Sequence, residues 1–368
     1  MNQHNLECND AELENSVEQA LNGIVMEDER SIVEAGLIYA VVVIDGVVRV
    51  MIDDEQCDLV AVMASELPDL ITQTASTVAG VKRVVVKPRP KSISKARPIA
   101  GVRHVLGIHS VKGGVGKSTV TALLALQLAS QGKRVGIVDA DVYGPSIPLL
   151  FGVSGELETD EESGHIVPKQ AHGIQMVSLA LMLPSDEPLI WRGNLVDEGF
   201  PQLLHDVKWG ELDVLLLDMP PGTGDVVLAA AQQAPLAGVV AVTLPSALSQ
   251  IDVIRGIEFF ADVQIPVLGL VENMAGLSCD CGKVISIFSK GGSQLAKKLG
   301  LPLLASLPFV PEVVQATEDG NLAAAFADGL SVAEAFDTLA EQVWAAMEQH
   351  KAQSHEQIMS KGGRERDE

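Results

Sequence analysis

Val105-Leu106-Gly107-Ile108-His109-Ser110-Val111-Lys112-Gly113-Gly114-Val115-Gly116-Lys117-Ser118-Thr119 runs from an apolar strand pattern through a glycine-rich turn into a helical pattern. Glycines in such a turn let consecutive backbone N–H groups point inward around a phosphate, and a helix opening near Lys117 adds its positive dipole end. Lys117 is then placed for β- and γ-phosphates and the Ser118 hydroxyl for Mg²⁺. The candidate phosphate-binding residues are therefore Gly113, Gly114, Val115, Gly116, Lys117, Ser118 and Thr119. The ordinary loop has Gly where this chain has Val111, and a second lysine, Lys112, follows. A ligand-free strand-to-helix turn is the plain alternative, but two lysines and a hydroxyl in register argue against it.

The acids lie downstream. Val138-Asp139-Ala140-Asp141 places two carboxylates at the end of the next strand pattern, where open parallel sheets bind ligands. One can order a Mg²⁺-bound water and the other can orient an attacking water; capping of the next segment is the structural alternative. Asp213-Val214-Leu215-Leu216-Leu217-Asp218 sets four apolar residues ahead of Asp218, the arrangement in which a carboxylate holds Mg²⁺ through water. Gly222-Thr223-Gly224 follows as a loop whose N–H groups could sense a γ-phosphate. Asn273, after the run Val267–Glu272, either meets an adenine edge or forms a turn.

Apolar strand patterns at His104–His109, Arg134–Asp139, Val214–Asp218, Gly238–Thr243, Val267–Glu272 and Leu303–Leu307 alternate with helical stretches. That alternation predicts an α/β fold with a mostly parallel central sheet flanked by helices. Ahead of it, residues 12–87 read as a small α/β domain: a helix over Leu13–Ile24, strands at Leu37–Val43 and Val47–Ile52 around an Asp45-Gly46 turn, a helix near Asp58–Thr72, and a strand at Val81–Val86. Residues 88–103, with Pro88, Pro90 and Pro98, read as a linker. The ATPase-like domain spans 104–348, and the polar stretches 1–11 and 349–368 read as tails, the second disordered.

Formal charge is −23, from 49 acidic against 26 basic residues, a surface that repels nucleic acid. The run Leu37–Val50 is broken by Asp45 and Gly46 and is too short to span a bilayer, so no membrane association is expected. The amino-terminal stretch lacks the charge pattern of a signal peptide, and four cysteines do not make a disulfide scaffold. A reducing cytoplasm is the expected setting.

Lys112-Gly-Gly-x-Gly-Lys-Ser resembles the deviant Walker A loop of MinD/ParA/ArsA-like ATPases, which implies that Lys112 reaches across a dimer interface to the partner's nucleotide. Together with Asp139–Ser146, Asp218–Asp225 and Glu272-Asn273-Met274, it resembles the Mrp/NBP35/ApbC family of iron–sulfur cluster carrier ATPases over about residues 102–346. Ser31–Ile38 and the position of Cys57 resemble a MIP18-like domain. The resemblance implies a homodimer that binds Mg-ATP and hydrolyses it slowly, takes a [4Fe–4S] cluster from a donor and passes it to apo-proteins. It implies that Asp141 positions water, and that Asn273 and Leu307–Pro311, with Pro308, surround adenine.

The family's bridging ligands are a Cys-x-x-Cys pair; here the sequence is Cys279-Asp280-Cys281, one residue shorter. Residues i and i+2 of an extended segment face one way, and thiolates suit iron. The bite is narrower, and Asp280 adds negative charge. A cluster, another soft metal, or a pair of incidental cysteines all fit the residues. Two other readings stay open: a MinD/ParA-like switch without a cluster, and a scaffold whose amino-terminal domain recruits clients.

Overall fold

Short runs of Val, Leu, Ile and Gly form the central strands because a strand covered on both faces has no polar side to show. In the computed structural model these are β4 (Val105–His109), β5 (Val135–Asp139) and β10 (Val214–Asp218), each buried along its whole length. The structure describes residues 10–26, 30–44, 46–53, 66–88, 96–141, 144–182, 193–278, 284–285, 291–326 and 332–364. The chain divides into two compact units, one of residues 1–93 with 261–263 and the other of residues 94–260 with 264–368.

In the first unit, helix α1 (Asp10–Leu21) and helix α2 (Leu67–Ser76) accompany a three-stranded sheet of β1 (Ile38–Ile44), β2 (Val47–Ile52) and β3 (Arg83–Pro88). β1 and β2 are antiparallel with Ile44 opposite Val47, around Gly46 at φ 72°; β3 runs parallel to β2. Leu13, Val17, Leu21, Val48, Val50 and Ile71 make its core. The helix expected from Asp58 starts at Leu67 among the described residues; 54–65, Asp45 and Cys57 lie outside them.

The second unit holds an eight-stranded sheet in the order β15-β12-β11-β4-β10-β5-β9-β8. Here β8 is Lys169–Ala171, β9 is Ile174–Ser178, β11 is Leu236–Thr243, β12 is Val267–Glu272 and β15 is Leu303–Ser306. All neighbours are parallel except β8 on β9. Helix α3 (Lys117–Ser130) is buried nearly all round, as a helix apolar on every face must be. Its leucines share one core with Phe336, Leu339, Val343 and Met347 of the last helix, α10 (Val332–Arg364). That helix continues through 349–364, the greater part of the stretch expected as a disordered tail. Gln, Glu, Lys, Ala and His there sustain a helix once a packed segment has nucleated it.

Candidate nucleotide-binding site

Three central strands deliver the site to the carboxyl end of the sheet. β4 leads into the loop from Ser110 to Gly116, β5 ends at Asp139, and β10 ends at Asp218; the register places Asp218 between Ile108 and Asp139. Gly116 precedes α3 at φ 82°, and a Cβ there would lie 2.4 Å from the Asn273 amide nitrogen. Only glycine meets both conditions.

Asp218 is fully buried and carries three partners. Lys117 Nζ lies 2.8 Å from Oδ2, the Ser118 hydroxyl donates to the same oxygen at 2.6 Å, and the Thr121 hydroxyl donates to Oδ1 at 2.7 Å. Sequence reading missed Thr121, although its spacing of four from Lys117 on a helix points to the same face. The loop encloses a cavity of about 240 Å³ walled by Lys112, Gly113, Gly114, Lys117, Ser118 and Asp141, among others. A second cavity of about 240 Å³ adjoins it through Gly116 and Thr119 and is walled by Asn273, Met274, Pro308, Phe309 and Phe336. One is lined by cations and backbone N–H groups, the other largely by apolar side chains. A nucleotide's phosphates and base have those two characters.

Asn273 Nδ2 donates to the Val115 carbonyl at 2.8 Å. A carbonyl can only accept, so this bond uses the Asn273 NH₂ as donor and leaves its Oδ1 as an acceptor. Val115 itself is buried and serves the site through its backbone.

Asp141 and Asp139 part company. Asp141 lines the phosphate-side cavity and accepts the Gly144 N–H at 3.2 Å. Asp139 walls neither cavity. Its carboxylate accepts the N–H groups of Ser146 (2.9 Å), Ile147 (3.1 Å) and Asp141 (3.2 Å) and the Ser178 hydroxyl (3.2 Å). These bonds place Asp139 in shaping the loop that presents Asp141. Burial, then the neighbouring Asp218 charge, pushes its pKa up to about 7. His109, 1% exposed and edge-on to Phe260 at 4.9 Å, is held down at about 3 by burial and then by Lys117.

Lys112 pairs with Asp252 at 2.8 Å, on helix α7 (Ala247–Asp262). Nothing local to the loop marks Asp252; only the fold brings it there.

The family described as NUBPL iron-transfer P-loop NTPase (ParA) matches residues 101–344, well over half of the chain. The chain belongs to that family. Among relatives of this P-loop NTPase, an iron–sulfur cluster carrier protein of Aquifex aeolicus is 43% identical over 247 residues, covering 66% of this chain and 68% of the relative. The iron–sulfur cluster transfer protein NUBPL of Dictyostelium discoideum is 39% identical over 226 residues, 61% of this chain and 70% of that one. A solved nucleotide-binding protein from Archaeoglobus fulgidus in complex with ADP is 37% identical, with a TM-score of 0.55 over 63% of this chain and 91% of the other. MinD of Pyrococcus horikoshii, with Mg-ADP, is 24% identical over 65% of this chain and 95% of its own, with a TM-score of 0.51, and supports the fold alone.

Within the NTPase unit, Cys279 and Cys281 lie outside the described residues, as do Cys8 and Cys57. Their flanks are described: β13 (Leu277–Ser278) pairs antiparallel with β14 (Val284–Ile285). Among the described residues no group of three or more His, Cys, Asp or Glu could hold a metal, and no helix is long and apolar enough to cross a membrane.

Proposed function

We propose that this NTPase is an ATP-binding iron–sulfur cluster carrier that works as a homodimer in the cytoplasm, taking a [4Fe–4S] cluster from a donor and delivering it to apo-proteins. The nucleotide half rests on the two adjoining cavities that share Gly116 and Thr119. The cargo half is supported by the carrier and transfer proteins it resembles and by the thiol pair Cys279/Cys281.

Lys117 leaves Asp218 for the β- and γ-phosphates when ATP enters, with the loop N–H groups of Gly113, Gly114 and Gly116 around them. Asn273 Oδ1 accepts from the adenine amino group while Pro308 packs against the ring. Ser118 and Asp218, hard oxygen donors 2.6 Å apart, fit Mg²⁺; the ion would neutralise charge on the phosphate oxygens. Asp141 orients the attacking water. Lys112 exchanges Asp252 for the nucleotide of a second copy, so hydrolysis is slow until two chains meet. Residues 12–87, read as MIP18-like, lie outside the family match at 101–344 and are assigned to client recruitment.

Anaerobic reconstitution with iron and sulfide, read by visible absorption and iron content, tests the cargo half. Wild type is expected to hold a cluster that the Cys279→Ser/Cys281→Ser variant lacks. Equal, negligible iron in both would leave a nucleotide switch without cargo.

A further inference from the structure

The chain that leaves β4 lies along one face of helix α7 in single-turn steps. His109 stands edge-on to Phe260 with ring centroids 4.9 Å apart, Val111 meets Gly256, and Lys112 Nζ pairs with Asp252 Oδ2 at 2.8 Å. Phe260, Gly256 and Asp252 are spaced by four and so share one side of the helix. The middle contact is the tight one. A Cβ on Gly256 would stand 2.7 Å from Val111 Cγ2 and 3.7 Å from His109 Nε2. The first distance is well inside the roughly 3.5–4.0 Å at which carbon atoms pack best, and valine is stiff at χ1. Gly256, buried in α7, is therefore a notch that Val111 fills, in a helix interior where glycine is otherwise a weak choice.

Position 111 is where the ordinary phosphate loop has glycine. The backbone here suits a side chain: among the described residues, positive φ without glycine occurs only at His172, Gln264 and Met274. The flanking residues are held separately. The Ser110 hydroxyl donates to the Lys112 carbonyl at 2.9 Å, and the Gly222 N–H donates to the Ser110 carbonyl at 3.0 Å. Beyond Val111 the loop has little else to grip with. The Lys112 side chain is 46% exposed, and a Cβ at Gly113 or Gly114 would meet nothing within 4 Å. The next packed side chain is that of Val115.

We infer that Val111 is a positioning residue, and that its seat on Gly256 sets where Lys112, Gly113 and Gly114 stand to meet a nucleotide's phosphates. This deepens the nucleotide half of the proposed function and rests on that half alone.

The test titrates full-length protein with a fluorescent ADP analogue in the presence of Mg²⁺, and displaces the analogue with ADP or with adenosine. Adenosine reports the base-side cavity, whose walls include neither Val111 nor Gly256. Gly256→Ala is expected to weaken ADP binding about tenfold, because its Cβ drives Val111 out of place. Val111→Ala is expected to weaken it about fivefold by emptying the seat. Adenosine should displace the analogue from both variants within about twofold of its affinity for the parent. The double variant Val111→Ala/Gly256→Ala moves a methyl group from one side of the contact to the other. It is expected to return ADP affinity to within about twofold of the parent. Equal weakening of ADP and adenosine would make the contact merely structural and overturn the inference. So would single variants that bind ADP like the parent, or a double variant whose loss is the product of the two single losses. If Gly256→Ala does not fold, the double variant is still expected to fold and bind, and a Val111→Ala protein matching the parent for ADP overturns the inference by itself. A parent that binds no ADP removes the nucleotide reading together with this inference, an outcome distinct from all of these.

Discussion

Asp218 takes a lysine and two hydroxyls without a water molecule's width of exposure, so removing any one of them has a readable result. Lys117→Ala leaves a buried carboxylate short of its counter-ion at a cost of about 3 kcal/mol, and it removes the cation that meets phosphate. Thermal unfolding and titration with a fluorescent ATP analogue should show both losses together. Lys112→Ala should behave differently. The pair with Asp252 is half exposed at the lysine, a setting in which ion pairs contribute about 0–1 kcal/mol. Stability and ATP affinity are expected to stay near wild type while the steady-state ATPase falls; a variant hydrolysing at the wild-type rate would remove Lys112 from the proposed cross-dimer role. Asn273 is the third residue with a sharp expectation. With Nδ2 committed to Val115, its acceptor suits an adenine amino group and opposes the guanine carbonyl. Asn273→Ala should lower the ATP-over-GTP preference about tenfold, as one lost hydrogen bond of ~1.4 kcal/mol does, in competition binding.

At the scale of elements, α3 and α10 form the supports behind the loop. Leu339 is fully buried in the core they share, so Leu339→Ala should cost about 2–5 kcal/mol in denaturant unfolding. ATP should still bind to the fraction that remains folded. These elements also show what was legible beforehand. Val105–His109, Val214–Asp218 and Val267–Glu272 were readable because buried parallel strands are uninterrupted apolar runs between turn signals. β9 (Ile174–Ser178) was not: Gln175 interrupts it, and an irregular stretch with a short antiparallel edge precedes it. The loop residues and Asp218 announced themselves through spacing, since each role is set by neighbours along the chain. Asp252, Ser178 and the Glu272–Gly292 contact arise from segments 20 or more residues apart, which no local pattern encodes. The divergence of Asp139 from Asp141 is of the same kind, because burial by β9 and α4 (Ile147–Leu150) decides it.

For the molecule as a whole, two buried groups set opposite pH dependences. Burial raises the Asp139 pKa from its ordinary 3.8 to about 7 in the folded chain. Its contribution to stability is complete below 3.8 and is lost as pH rises through about 7. His109 moves from 6.5 down to about 3. Its contribution is complete above 6.5 and is lost as pH falls through about 3. Nucleotide-free His109→Leu should therefore gain on wild type as pH falls from 6.5, and Asp139→Asn should gain on wild type as pH rises toward 7. Melting temperatures compared variant against wild type at each pH isolate these two groups from the rest of a chain with 49 acidic residues in all.

The sheet finishes at both sides in very short strands, three residues at β8 and four at β15. An edge that brief gives another chain few unpaired backbone groups to copy. Concentrated solutions should accordingly resist ribbon-like stacking and fibre formation. Self-association is thereby left to side-chain surfaces, where it can be made conditional on what the loop is holding, instead of to an edge that would pair indiscriminately.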